Sequence, residues 1–231
     1  MDSVFQENSS KLRIRQTTPV LNIIYLCDCS GSMAGSRIAI VNTALSKALA
    51  ELLDFSKTAP AINIQIGVIR FANTAAWHFA PCPLEQLVWS PLVDTSGITA
   101  LGAAYHVLTD YLAQLEAQAA KRAIKPLAPI LILFSDGMPT DDAATALAAL
   151  STQALAQQSL RLAIGIGDEV DTAVLQAWVQ PWQQTELSKL TQSRQLVSQQ
   201  LAIADSAIEV CELVSVFTAE AISRLLIEAQ P

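Results

Sequence analysis

The sequence predicts an α/β fold: a doubly wound, mostly parallel sheet with one antiparallel edge strand and helices on both faces. Two observations carry that expectation. Apolar runs of strand length at 20–27 (VLNIIYLC), 130–134 (ILILF) and 161–166 alternate with segments of helical periodicity. This is the pattern of parallel strands joined by right-handed crossovers. Composition agrees, because 52% hydrophobic and 15% charged residues over 231 positions supply a core large enough to bury strands on both faces. The same figures exclude global disorder.

Residues 1–18 are polar and non-periodic, and are expected to form a flexible arm before a single domain spanning 19–231. The run 20–27 reads as a strand buried on both faces, and a Gly- and Ser-rich turn follows it. Ile38, Val41, Leu45, Ala48, Leu49 and Leu52 then recur at helical spacing, which predicts a helix over 36–55. Residues 62–71 (INIQIGVIRF) alternate apolar and polar at first, the signature of a strand with one half-exposed end. Asn73 and Thr74 separate it from 75–80, a short hairpin partner. A Pro-rich loop over 81–98 precedes a helix over 100–121, with Leu101, Tyr105, Leu108, Leu112 and Leu115 on one face.

After the strand 130–134, Asp141 and Asp142 are placed to cap a helix over 143–157, since carboxylates accept free N–H groups at a helix start. A strand over 161–166 and a short helix over 171–179 follow. Beyond 181 the pattern weakens. There 186–205 is assigned to helix, 207–212 to a short strand and 216–228 to the last helix. No repeat appears at solenoid periods.

A formal net charge of −7 and a pI near 4.8 leave no footprint for nucleic acid, whose phosphates need clustered Lys and Arg. The small basic clusters Lys11/Arg13/Arg15 and Lys121/Arg122 read as solvated surface. Cys27 and Cys29 form a C-x-C without structural-zinc spacing, and Cys27 ends an apolar run as a buried small hydrophobe. The first 19 residues hold no apolar h-region, and no run approaches membrane-span length. A cytoplasmic protein without membrane association is therefore expected.

In doubly wound folds, ligands bind outside the carboxyl ends of the strands. Three polar clusters fall there: Asp28-Cys29-Ser30-Gly31-Ser32, Ser96-Gly97-Ile98-Thr99 and Ser135-Asp136-Gly137. They offer carboxylates and hydroxyls, the hard oxygens that suit Mg²⁺, Mn²⁺ or Ca²⁺ rather than zinc or copper. Residues 28, 30 and 32 can converge as the chain turns out of its strand, with Gly31 giving the turn its freedom. The expected metal ligands are Asp28, Ser30, Ser32, Thr99 and Asp136, and Mg²⁺ is the first choice of ion.

Asp28-x-Ser30-x-Ser32, a later Thr99, and Asp136 in a strand-ending S-D-G together resemble the metal-ion-dependent adhesion site of von Willebrand factor type A (VWA) domains. The resemblance spans about 20–228. Within that family the stretches S-D-G-M-P-T-D-D (135–142) and G-I-G-D-E-V-D (165–171) are similar to bacterial tellurium-resistance (TerY-type) proteins. The resemblance implies that Ser30, Ser32 and Thr99 touch the metal, while Asp28 and Asp136 act directly or through water. A partner protein's Glu or Asp would complete the coordination. It further implies a non-enzymatic protein-binding module in a bacterial stress-response system.

Each residue also has an ordinary reading. Asp28, Ser30 and Ser32 can form a turn, Thr99 can be an N-cap, and Asp136 a turn residue. It is their coincidence at three strand ends that favours a metal. Asp141, Asp142, Asp168 and Asp171 read as caps and loop charges. His78 and His106 lack a nucleophile or ligand at recognisable spacing, and exposure of Trp89 would suggest a partner contact.

A Mg²⁺-dependent phosphatase also places an Asp after its first strand. It needs a second carboxylate two residues on, where this chain has Ser30. A P-loop is absent, and no G-x-S-x-G elbow accompanies the serines. A structural VWA subunit with an empty site is the remaining alternative.

Overall fold

The computed structural model describes residues 19–58, 62–122, 126–136, 138–167, 170–179, 201–204 and 206–228. Its core is a six-stranded sheet in the order β3-β2-β1-β4-β5-β6. The strands are β1 (Val20–Asp28), β2 (Asn63–Phe71), β3 (Ala75–Pro83), β4 (Ile130–Ser135), β5 (Leu160–Ile166) and β6 (Leu201–Ala204). All neighbours are parallel except β2 and β3, so the antiparallel strand sits at the edge as expected.

The central strands are buried because their sequences are apolar on both faces. Every residue of β4 and β5 is buried, as is every residue of β1 after Val20. Alternate side chains feed two cores. One holds Leu21, Ile23 and Tyr25 of β1 against α1 (Ser36–Thr58) and α6 (Ala207–Glu228). The other holds Ile24 and Leu26 against α2 (Leu101–Arg122), α3 (Ala143–Leu150), α4 (Ala154–Gln158) and α5 (Thr172–Val179). All six residues expected on the buried face of α1 are buried.

The chain leaves β1 on one side towards β2, then returns to place β4 on the other side. The carboxyl ends of β1 and β4 thus flank the switch point of the sheet, where such folds open a ligand crevice. In register, Asp28 ends β1 opposite Phe71, and Cys27 lies opposite Phe134, one residue before Ser135.

Four expectations need correction. Residues 207–212 are not a strand; they begin α6, and the last strand is β6. Ile208 is 66% exposed, an apolar residue on the solvent face that obscures the helical period in so short a window. Over the full helix, buried Val210, Val214, Thr218, Ala221, Ile222 and Leu225 follow the helical period. Of the helix assigned to 186–205, residues 201–204 are strand and 186–200 lie outside the described residues. The arm 1–18 also lies outside them.

The helix over 143–157 is two helices. Between them Thr152 donates its hydroxyl to the Ala149 carbonyl at 2.7 Å, a local bond that competes with helix continuation. The α4 start is instead capped from α2, where Glu116 Oε1 accepts the Leu155 N–H at 2.7 Å. Finally, the hairpin partner is longer than 75–80. It runs to Pro83 with register shifts near Ile66, Val68 and Ile69.

Candidate metal centre

The first loop is fixed by the end of β1. Asp28 is 1% exposed. Its Oδ1 accepts the Ser30 N–H at 2.8 Å, and its Oδ2 accepts the hydroxyl of Ser135, the last residue of β4, at 2.6 Å. Burial raises the carboxyl above the ordinary carboxylate range, against the hydrogen bonds from Ser135 and Ser30 that favour its ionised form; the charge of Asp136 raises it further. The chain then enters a 3-10 turn (Gly31–Met33), pinned beneath by fully buried Met33. Ser30 Oγ and Ser32 Oγ stand 3.0 Å apart, Ser30 buried and Ser32 facing solvent.

The second loop is tied directly to the first. Gly97 accepts the Gly31 N–H at 3.0 Å, and Cys29 accepts the Ser96 N–H at 3.1 Å. A side chain at 97 would collide with Asn73, and Gly97 has a φ of +83°, so only glycine fits without strain. Gly31 itself has no left-handed φ, which corrects the expectation that it frees the turn. A Cβ added at Gly31 would meet the Gly97 carbonyl oxygen at 3.4 Å, an ordinary contact.

Thr99 follows, 4% exposed, with its carbonyl accepting the Thr140 N–H at 2.9 Å. Asp141 holds this region in place. Its two oxygens accept the N–H groups of Gly102 and Ala103, each at 3.0 Å, capping α2. The side chain of Asp141 thus caps α2 rather than the next helix, whose start is capped by Asp142, accepting from the Thr145 N–H at 3.1 Å.

The third loop carries Asp136, 2% exposed. Its carbonyl accepts the Asp171 N–H at 2.8 Å, and its Oδ1 takes a long bond from the Met138 N–H at 3.4 Å. Oδ2 lies 3.7 Å from Nη1 of Arg37, which also donates to the Ser32 carbonyl at 3.1 Å. Arg37 thus bridges the first and third loops.

Asp28, Ser30 and Ser32 are therefore brought together on one turn, with Thr99 and Asp136 on loops bonded to or bridged with it. Two buried carboxylates and three hydroxyls make an all-oxygen donor set. Among the described residues no three His, Cys, Asp or Glu side chains assemble. Two buried carboxylates, with the charge of Asp136 raising the cost of ionising Asp28, fit a hard divalent cation.

The other candidates are structural. Asp171 caps α5 by accepting the Ala173 and Val174 N–H groups. His78 Nε2 bonds the Ser90 carbonyl at 2.9 Å, and His106 is exposed on α2. Trp89 is half-buried, its ring centroid 5.8 Å from that of Phe79. Asp168 lies outside the described residues. Sequence reasoning missed three supporting residues: Ser135 on Asp28, Arg37 on Asp136, and Asp141 beneath Thr99. Ser135 was in view within S-D-G. Arg37 gives no signal, because its first-turn position in a helix reads as solvated charge.

A family model described as von Willebrand factor type A domain matches residues 22–200. Among solved structures, BatB from Bacteroides thetaiotaomicron aligns with a TM-score of 0.54 at 15% identity, over 88% of this chain and 99% of that one. An aerotolerance-related membrane protein from Bacteroides fragilis aligns at 0.52 and 14% identity, over 88% and 99%. The ArnB paralog VWA2 from Sulfolobus acidocaldarius aligns at 0.54 and 14%, over 84% of this chain and 44% of that one. These likenesses are of fold. No curated protein matches the sequence.

Proposed function

This chain belongs to the von Willebrand factor type A domain family, and from that premise we propose that it is a metal-dependent protein-binding module. Asp28, Ser30, Ser32, Thr99 and Asp136 hold a divalent cation, Mg²⁺ for preference and Mn²⁺ or Ca²⁺ as alternatives. A Glu or Asp of a partner protein supplies the remaining ligand. The observation that supports this reading most is the pair of buried carboxylates, Asp28 and Asp136, beside converging hydroxyls on interlocked strand-end loops. A charge buried without a counter-charge of equal size is costly, and a cation relieves that cost.

The chain's own residues do the rest. Ser135 and the Ser30 N–H orient Asp28 so that its carboxylate is held before any ligand arrives. The exposed apolar residues Ile98 and Met138, 52% and 54% exposed, stand beside Thr99 and Asp136 in sequence and give a partner an apolar rim. No catalytic step is proposed: Ser30 occupies the position where a phosphatase of this general layout needs its acid/base. A place in a bacterial tellurium-resistance-like stress response is part of the same proposal, supported by the 135–142 and 165–171 stretches. Among the described residues no helix is long and apolar enough to cross a membrane.

The test is thermal melting in chelator and with added Mg²⁺, for the natural protein and for Ser30→Ala/Ser32→Ala. The natural protein is expected to melt higher with Mg²⁺ and the variant to ignore it, since a ligand that binds only the folded state stabilises it. Equal and metal-insensitive melting of both proteins contradicts the proposal.

A further inference from the structure

We propose that Arg37 sets the charge of this site, weakening its hold on a divalent cation while strengthening the loaded site's hold on an external carboxylate. The inference rests on the metal-binding reading above. The guanidinium is placed by the fold. Nη1 donates to the Ser32 carbonyl at 3.1 Å and lies 3.7 Å from Asp136 Oδ2. Its other atoms rest on Gly167, where an added side chain would meet Nε, Cζ and Nη2 at 2.6 to 2.8 Å. Gly167 also has a φ of +97°, so the backbone conformation and the space for the guanidinium are both kept by one glycine. The Asp136 side chain is 3% exposed and that of Arg37 27%. The arginine therefore spans from the buried carboxylate to the surface a ligand would approach.

The signs of the charges determine the consequence. Asp28 and Asp136, both ionised, carry two negative charges, and Arg37 cancels one. A divalent cation leaves the loaded cluster with one net positive charge, which attracts a single external carboxylate. Without Arg37 the empty cluster is doubly negative and draws the metal harder, while the loaded cluster is neutral and draws an anion less. Removing the arginine is thus expected to move the two affinities in opposite directions. A residue that only held the loops in shape would, on removal, weaken both.

The experiment uses the full chain at fixed ionic strength and compares the natural protein with Arg37→Gln and Arg37→Lys. Manganese chloride alone is titrated by calorimetry. Acetate is then titrated into the Mn²⁺-loaded proteins and followed by water-proton relaxation. Arg37→Gln is expected to bind Mn²⁺ roughly three- to tenfold more tightly, and acetate weaker by roughly threefold or more. Arg37→Lys, which keeps the charge, is expected to stay near the natural protein in both titrations. Unchanged or weaker Mn²⁺ binding by Arg37→Gln, or unchanged acetate binding, overturns the role of Arg37 while leaving metal binding by the natural protein standing. Absence of Mn²⁺ binding in all three proteins overturns the metal-site reading and this inference together.

Discussion

At the carboxyl ends of β1 and β4, two carboxylates are buried beside hydroxyls; near the amino end of β5, a cation is buried instead. Arg161 is 3% exposed. Its guanidinium donates to Ser159 Oγ at 3.0 Å, to the Trp178 carbonyl at 3.2 Å and to the Ala156 carbonyl at 2.9 Å. It also lies 4.8 Å from the Trp178 ring centroid, and Trp178 stacks on Tyr105 at 5.2 Å. Burial pushes its pKa down to about 10, which keeps it charged at neutral pH. Each of its nitrogens therefore has a neutral acceptor, and the cluster is closed.

The acidic cluster differs in kind. The charge of Asp136 bears on Asp28, and among the described residues a partly exposed arginine is the cation beside them. The difference is that the buried cation has a neutral acceptor on each nitrogen, whereas the acidic cluster gathers two like charges around one partly exposed arginine. A cation would offset that excess.

That contrast can be broken by mutation. The largest effect is expected for Arg161→Ala, which removes three buried hydrogen bonds and empties buried volume; unfolding in urea should show a loss of about 3 kcal/mol. Its metal response should be unchanged. Next comes the metal itself: at a concentration about a hundredfold above its dissociation constant, Mg²⁺ should add about 2.7 kcal/mol to the natural protein. Ser30→Ala/Ser32→Ala should forfeit that gain and keep its stability in chelator. Asp141→Ala removes the cap of α2, costing about 1 kcal/mol, and should loosen metal binding through Thr99.

The smallest effect should be a gain. Burial raises the Asp28 carboxyl, so the folded chain holds this proton at pH values where the unfolded chain has released it. Stability in chelator should therefore fall as pH rises from the unfolded value through the raised one, and stay lower at neutral pH. Asp28→Asn should flatten that fall in a pH series of chemical melts and be slightly more stable at neutral pH, yet bind no metal.

The fold was legible wherever burial was one-sided or complete. The runs at β1, β4 and β5 are apolar throughout because both faces are covered, and the face of α1 could be named residue by residue. Legibility failed where one residue broke the pattern. Exposed Ile208 obscured the helical period at the start of α6, and Thr152 ended α3 in a stretch whose composition is strongly helical. Asp28, Ser30, Ser32 and Asp136 stood out because they sit at short spacings at or just past the ends of β1 and β4, and Thr99 because it stands just before α2. Their supports were not: Arg37 and Asp141 act across the chain, and the Gly102 N–H bond to Asp141 spans 39 residues. Local periodicity carries no trace of such partners.

The most direct measurement is anomalous diffraction at the manganese edge, from crystals of the full chain grown with Mn²⁺. The proposed metal site predicts a strong peak bonded to the hydroxyls of Ser30 and Ser32, with Thr99, Asp28 and Asp136 around it directly or through water. No peak there, or manganese held only by carboxylates elsewhere on the surface, would contradict it.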